Sequence, residues 1–238
     1  MDDFDDFMMK RPPTACRPLL GLTVLVVEDS RFACEAMRLL CLRSGARIRR
    51  ADSLRHARRH LAVYRPAVVI VDLGLPDGPG ENLINDLTTI APRVDVVLGT
   101  SGDPDGKDRA LAAGADGFLA KPVQSLAQFQ QMILSHLPED RQPCAPWVLT
   151  DECISPDPMA YRDDLAHVAD VLDGQEEDSS MDYITQFLSG VAQSANDSGL
   201  GVAVGNFARA RRNGQATRSD VAQIAAMVQE RLSSNSPL

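Results

Sequence analysis

The sequence predicts an α/β fold, a doubly wound parallel sheet of five strands and five helices, followed by a small all-α domain. Three observations carry this expectation. Short apolar runs alternate with segments of helical periodicity from Leu22 to Leu137; prolines then cluster; beyond them only helical periodicity recurs. A parallel crossover needs a helix that covers one face of the sheet, so regular alternation of strand and helix implies parallel pairing.

Taken in order, LTVLVV (Leu22 to Val27) is the first strand, and a helix follows from about Phe32 to Ser44, ended by Gly45. ARIRRA from Ala46 is a weaker strand. The next helix is capped by Ser53 and carries Ala57 and Leu61 among its apolar positions. PAVVIVD (Pro66 to Asp72) reads as a strand buried on both faces. Next come a helix from about Gly80 to Ile90, a strand VDVVLGT ending at Thr100, a short helix around Lys107 to Ala113, a strand GFLAK from Gly117 and a helix from Ser125 to Leu137. A flavodoxin-like three-layer sandwich accommodates this order, and its ligands collect beyond the carboxyl ends of the strands. Prolines at 138, 143, 146, 156 and 158 mark residues 138–158 as a linker. Four helices follow: Met159 to Leu172 closed by Gly174, Met181 to Ala195, Leu200 to Arg212 before Gly214, and Arg218 to Leu232. The expected organisation is therefore a flexible segment over 1–20, an α/β domain over 21–137, the linker, and a helical output or interaction domain over 159–234.

Composition excludes several classes. No run approaches the roughly 20 apolar residues needed to cross a bilayer, and the acidic start MDDFDDFMMKRPP is unlike a basic secretory leader, so a cytoplasmic location is expected. Five cysteines, odd in number and without a CxxC pair, suggest neither a disulfide framework nor a zinc site. The net charge of −9 is unevenly placed: from Glu139 onward there are 16 acidic and 7 basic residues, whereas the first 138 residues balance at 17 of each. The second half thus lacks the positive field that nucleic-acid binding usually requires.

The chemistry concentrates at the strand ends. Glu28 and Asp29 follow the first strand and Asp72 closes the third, so adjacent strands would bring three carboxylates together. Crowded acids raise one another's pKa unless a cation neutralises them, and an oxygen-only site suits Mg²⁺. Phosphoryl transfer to an aspartate is the implied reaction, since attack on phosphorus needs positioning and charge neutralisation more than a strong base. Lys121 supplies positive charge at the end of the fifth strand, and Thr100 a hydroxyl at the end of the fourth.

VLVVEDS, VDLGLPDGPG, TSG and GADGFLAKP, in that order, resemble the receiver domain of two-component response regulators over about Leu22 to Leu137. The resemblance implies that Asp72 accepts a phosphoryl group, that Glu28, Asp29, Asp72 and the backbone carbonyl of Gly74 surround Mg²⁺, and that Thr100 and Lys121 contact the phosphoryl group. Phe118 falls at the aromatic switch position, and Pro122 at the proline after the lysine. The implied phosphoryl source is a sensor histidine kinase or a histidine phosphotransfer protein, and the role is regulatory rather than enzymatic. Gly74 and Gly102 match positions that tune hydrolysis; lacking side chains, they leave water access open and imply a short phosphate lifetime. The stretch from Thr100 to Lys121 is about one residue short, and GDPDGKD brings turn formers to the start of the fourth helix. Counting along the strand favours Thr100 over Ser101 for the hydroxyl.

The second half carries no GxxxxGK[ST] loop, no paired-histidine motif and no Cys-His set, so an output enzyme is not expected. From Met181 onward it resembles a phosphotransfer bundle that has lost its histidine, which implies a docking module and a protein output partner or a second copy of the chain. His167, in LAHVADVLDG, lacks the following lysine of such a bundle. The rival reading is a DNA-binding helix-turn-helix, with Arg209, Arg211, Arg212 and Arg218 flanking a turn. His56 and His60 in RHARRH read as an exposed basic helix face.

Overall fold

The computed structural model describes residues 13–143, 146–148, 150–174, 178–215 and 218–234, without the side chains of 173–174 and 178–180. The expected N-terminal segment therefore lies largely outside the described residues. The chain runs β1 (Thr23–Val27), α1 (Arg31–Ser44), β2 (Arg47–Ala51), α2 (Leu54–Val63), β3 (Val68–Asp72), a small antiparallel pair β4 (Gly74–Leu75) and β5 (Gly78–Pro79), α3 (Gly80–Thr89), β6 (Val96–Ser101), α4 (Gly106–Ala112), β7 (Gly117–Ala120) and α5 (Leu126–Leu134). The main sheet is parallel in the order β2-β1-β3-β6-β7, the flavodoxin-like arrangement, with Asp72 paired to Thr100 in register.

Alternation of side chains splits the strand residues between two cores. Val24, Val26, Val68, Ile70, Val96 and Leu98 pack towards α1 and α5, while Leu25, Val27, Val69, Val71 and Val97 pack towards α2 and α3. Burial on both faces explains why β3 reads as a continuous apolar run. Ser30 caps α1 by accepting from Ala33 N, and Gly45 ends the helix at φ +82, where a side chain would be strained. The short α4 begins at Gly106, after the turn formers that displace its start.

The connector is not a free spacer. Leu126 N donates to Glu152 O and Ile154 N to Gln124 O, at 2.9 Å each, while Ile154 and Trp147 pack on the α1–α5 core. Four helices complete the chain: α6 (Pro158–Gly174), α7 (Asp178–Ser194), α8 (Ser198–Arg212) and α9 (Arg218–Ser233). Their core contains Tyr161, Leu165, Leu188, Val191, Val204 and Val228, and also takes in Phe32 from α1. Phe32 meets Tyr161 edge to face, with ring centroids 5.8 Å apart. At one end Asp197 gathers Tyr161, Arg231 and Leu200 N, so burial counts for less than these bonds and its carboxyl is held near 2.

Asp164 on α6 joins the two parts. Its carboxylate accepts from Ser30 Oγ at 2.7 Å, Arg31 N at 2.8 Å and Phe32 N at 3.1 Å. Those amides belong to the first turn of α1, whose N–H groups have no partner within the helix and whose dipole favours an anion. Among the described residues, no helix is long and apolar enough to cross a membrane.

Candidate functional site

Three carboxylates meet where β1 and β3 end. Ligand oxygens from Glu28, Asp29 and Asp72 lie within 4.8 Å of one another. Adjacency of β1 and β3 produces this convergence, and Gly80 secures it: a Cβ there would stand 2.0 Å from the Asp72 carbonyl oxygen, so only glycine lets α3 start against the Asp72 backbone. Gly74 N donates to Asp72 Oδ1 at 3.2 Å.

Lys121 enters from β7's end as the counter-charge. Its Nζ donates to Asp72 Oδ2 at 2.9 Å and lies 2.7 Å from Glu28 Oε2, with all three side chains buried. Although burial opposes its charge, the Asp72 and Glu28 carboxylates hold Lys121 protonated well beyond the usual lysine range. One cation does not neutralise three acids. Burial and the Asp72 charge push Asp29 up to about 7, and burial followed by Asp72 drives Glu28 well above the usual carboxylate range. Glu28 Oε2 is buried, and its charge partner is the Lys121 ammonium 2.7 Å away. Three carboxylates sharing one ammonium are a donor set that fits a hard divalent cation with an all-oxygen shell.

The two neighbouring hydroxyls have different partners. Thr100 is fully buried and its Oγ1 donates to Leu119 O at 2.8 Å. Ser101 borders the cavity around Asp72, with its Oγ accepting from Asp103 N at 3.1 Å. Thr100 pairs in register with Asp72 and so shares its face of the sheet. Phe118 is half-buried and packs against Gly106 beside Ser101; among the described residues it does not line the cavity. His167 is exposed on α6 and meets the ring of Phe187, away from the carboxylates. His56 pairs with Asp52, as an exposed helix face predicts.

What sequence reasoning missed is the roof. The carboxylates open into a cavity of about 710 Å³ whose far wall is α7 and α8, including Gln186, Gly190 and Gln193. Tyr183 Oη donates to Asp29 Oδ2 at 2.7 Å, and burial followed by the Asp29 charge keeps this phenol neutral. At Gly190 a Cβ would be 3.6 Å from Lys121 Nζ, so the helix backbone passes close over the lysine. Arg211 and Asp182 pair at the mouth, 2.8 Å apart. No local pattern in the sequence announces these contacts.

Residues 24–133 match the family model described as response regulator receiver domain. Over 99 residues the chain is 36% identical to the KDP operon transcriptional regulatory protein KdpE of Escherichia coli, covering 42% of this chain and 44% of that protein. It is 32% identical over 102 residues to the virulence transcriptional regulatory protein PhoP of Salmonella typhimurium, covering 42% and 46%. The chain thus spans less than half the length of these curated relatives. Among solved structures, a response regulator from Chloroflexus aurantiacus aligns with TM-score 0.44 and 28% identity over 48% of this chain and 98% of that one.

Proposed function

We propose, from the premise that residues 24–133 are a response regulator receiver domain, that this chain is a cytoplasmic phosphorylation-controlled signalling protein whose helical domain conveys the signal to a protein partner. The observation that carries the reading is the convergence of Glu28, Asp29, Asp72 and Lys121 on one cavity. A sensor histidine kinase or a phosphotransfer protein is the donor class. An Asp72 carboxylate oxygen attacks phosphorus as the donor bond breaks, Lys121 balances the charge that builds on the transferred group, and the Thr100 hydroxyl, on the same face of the sheet as Asp72, leaves Leu119 O to donate a hydrogen bond to it. Glu28, Asp29, Asp72 and the Gly74 carbonyl would hold Mg²⁺, which neutralises the acids and polarises a phosphoryl oxygen. Acetyl phosphate with Mg²⁺ is expected to add one phosphoryl mass to the wild-type chain and none to Asp72→Asn, read by intact mass. Equal gain in both would end the assignment.

Tyr183 competes for the same carboxylate. Its hydrogen bond occupies a lone pair on Asp29, and a hydrogen bond to a charged group is worth about 1.5 kcal/mol or more. Tyr183→Phe is therefore expected to tighten Mg²⁺ binding roughly tenfold in a calorimetric titration, by the equivalence of about 1.4 kcal/mol to a factor of ten. An unchanged or weaker Kd would refute the competition.

Transcriptional output is the second reading, motivated by the names of the curated relatives. Against it, residues from Glu139 onward are acidic, with 16 acidic and 7 basic residues, and Arg211 beside the turn is engaged by Asp182.

A further inference from the structure

Two glutamines of α7 stand where the receiver lacks side chains. A Cβ on Gly74, two residues after Asp72, would lie 2.6 Å from Gln186 Nε2. One on Gly102, at the end of β6, would lie 2.2 Å from Gln193 Oε1. Gln186 and Gln193 are seven residues apart, hence on one face of the helix, and both line the cavity that holds Asp72. The space left open by the two glycines is thus occupied by carboxamides from the helical domain.

We propose that Gln186 positions the water that hydrolyses the aspartyl phosphate, so that the helical domain completes a self-dephosphorylating site. This rests on Asp72 being the phosphoacceptor. A carboxamide suits the task because it is uncharged and both donates and accepts: its carbonyl can take a hydrogen bond from water while its NH₂ group donates to a phosphoryl oxygen. Loose phosphoryl-transfer transition states respond mainly to such positioning. The cavity is roomy, with Ser101, Asp103, Arg109 and Ser189 on its walls, so water reaches the site. In the step itself the water oxygen bonds to phosphorus as the bond from phosphorus to the Asp72 oxygen breaks. The electron pair returns to the Asp72 carboxylate, paired with Lys121, and both protons of the water leave with inorganic phosphate.

Gln186 is exposed within the cavity and outside the helical core, so its replacement spares packing. The test loads the full chain with acetyl phosphate and Mg²⁺, removes the donor, and follows the decay of the phosphorylated mass. Gln186→Ala and Gln186→Leu are both expected to lose phosphate about tenfold more slowly than wild type, a modest share of the effect of a positioned catalytic group. The leucine variant keeps the bulk and removes the amide. Decay at the wild-type rate or faster in either variant overturns the proposal, because space filling or shielding would then be the glutamine's role. A wild-type chain that takes up no phosphoryl group overturns the phosphoacceptor reading and this one together; a chain that loads but decays alike in all forms overturns this one alone.

Discussion

Replacing Lys121 with methionine is expected to destabilise the receiver by about 3–5 kcal/mol without metal, the range for removing one partner of a buried ion pair. The Lys121 side chain is 4% exposed and serves Glu28 and Asp72 together, at 2.7 and 2.9 Å. Methionine fills a similar volume but leaves two buried carboxylates facing each other and Asp29. They can relieve the repulsion only by binding a proton or a cation. Millimolar Mg²⁺ should therefore recover a substantial part of the lost stability in Lys121→Met, more than it adds to wild type. Urea unfolding with and without Mg²⁺ reads both quantities. A variant with the wild-type midpoint, or one indifferent to Mg²⁺, would show that the carboxylates are not coupled in this way.

Asp164→Ala should cost about 3 kcal/mol or more, because one substitution strips the partners from Ser30 Oγ, Arg31 N and Phe32 N in a buried junction. Each such bond to a charged group contributes about 1.5–3 kcal/mol, and the three share one acceptor, so their losses do not add in full. The apolar contact of Phe32 with Tyr161 remains but no longer has the cap that orients α1 against α6. Asp164→Asn keeps one carbonyl acceptor and should lose less. Denaturant unfolding of both variants, with limited proteolysis of the released helical domain, checks the prediction; equal stability of alanine and wild type would contradict it.

Much of the site could be read from local sequence patterns. Glu28, Asp29, Asp72 and Lys121 each end an apolar strand segment, and parallel pairing alone brings strand ends to one edge. The helical boundaries were equally legible: Arg218 to Leu232 was expected and Arg218–Ser233 is found, with similar agreement for the other three helices. The hydroxyl was harder. Thr100 and Ser101 are consecutive and both chemically suited; counting favours Thr100, and its register opposite Asp72 emerges only from strand pairing. The proline-rich connector likewise read as a spacer, since its pairing with Gln124 and Leu126 is set by the receiver surface.

By itself the sequence determined the α/β order, the strand-end carboxylates and lysine, and the existence of a separate helical segment, because periodicity, caps and strand termini are local properties. Tertiary structure alone decided that α7 roofs the site, that Tyr183 binds Asp29, that Asp164 caps α1, and that Gln186 and Gln193 fill the space over Gly74 and Gly102. Those contacts join residues far apart in the chain through single polar side chains, which leave no repeat for a sequence to display. They accompany the apolar contact of Phe32 with Tyr161, which packs α1 against the helical core.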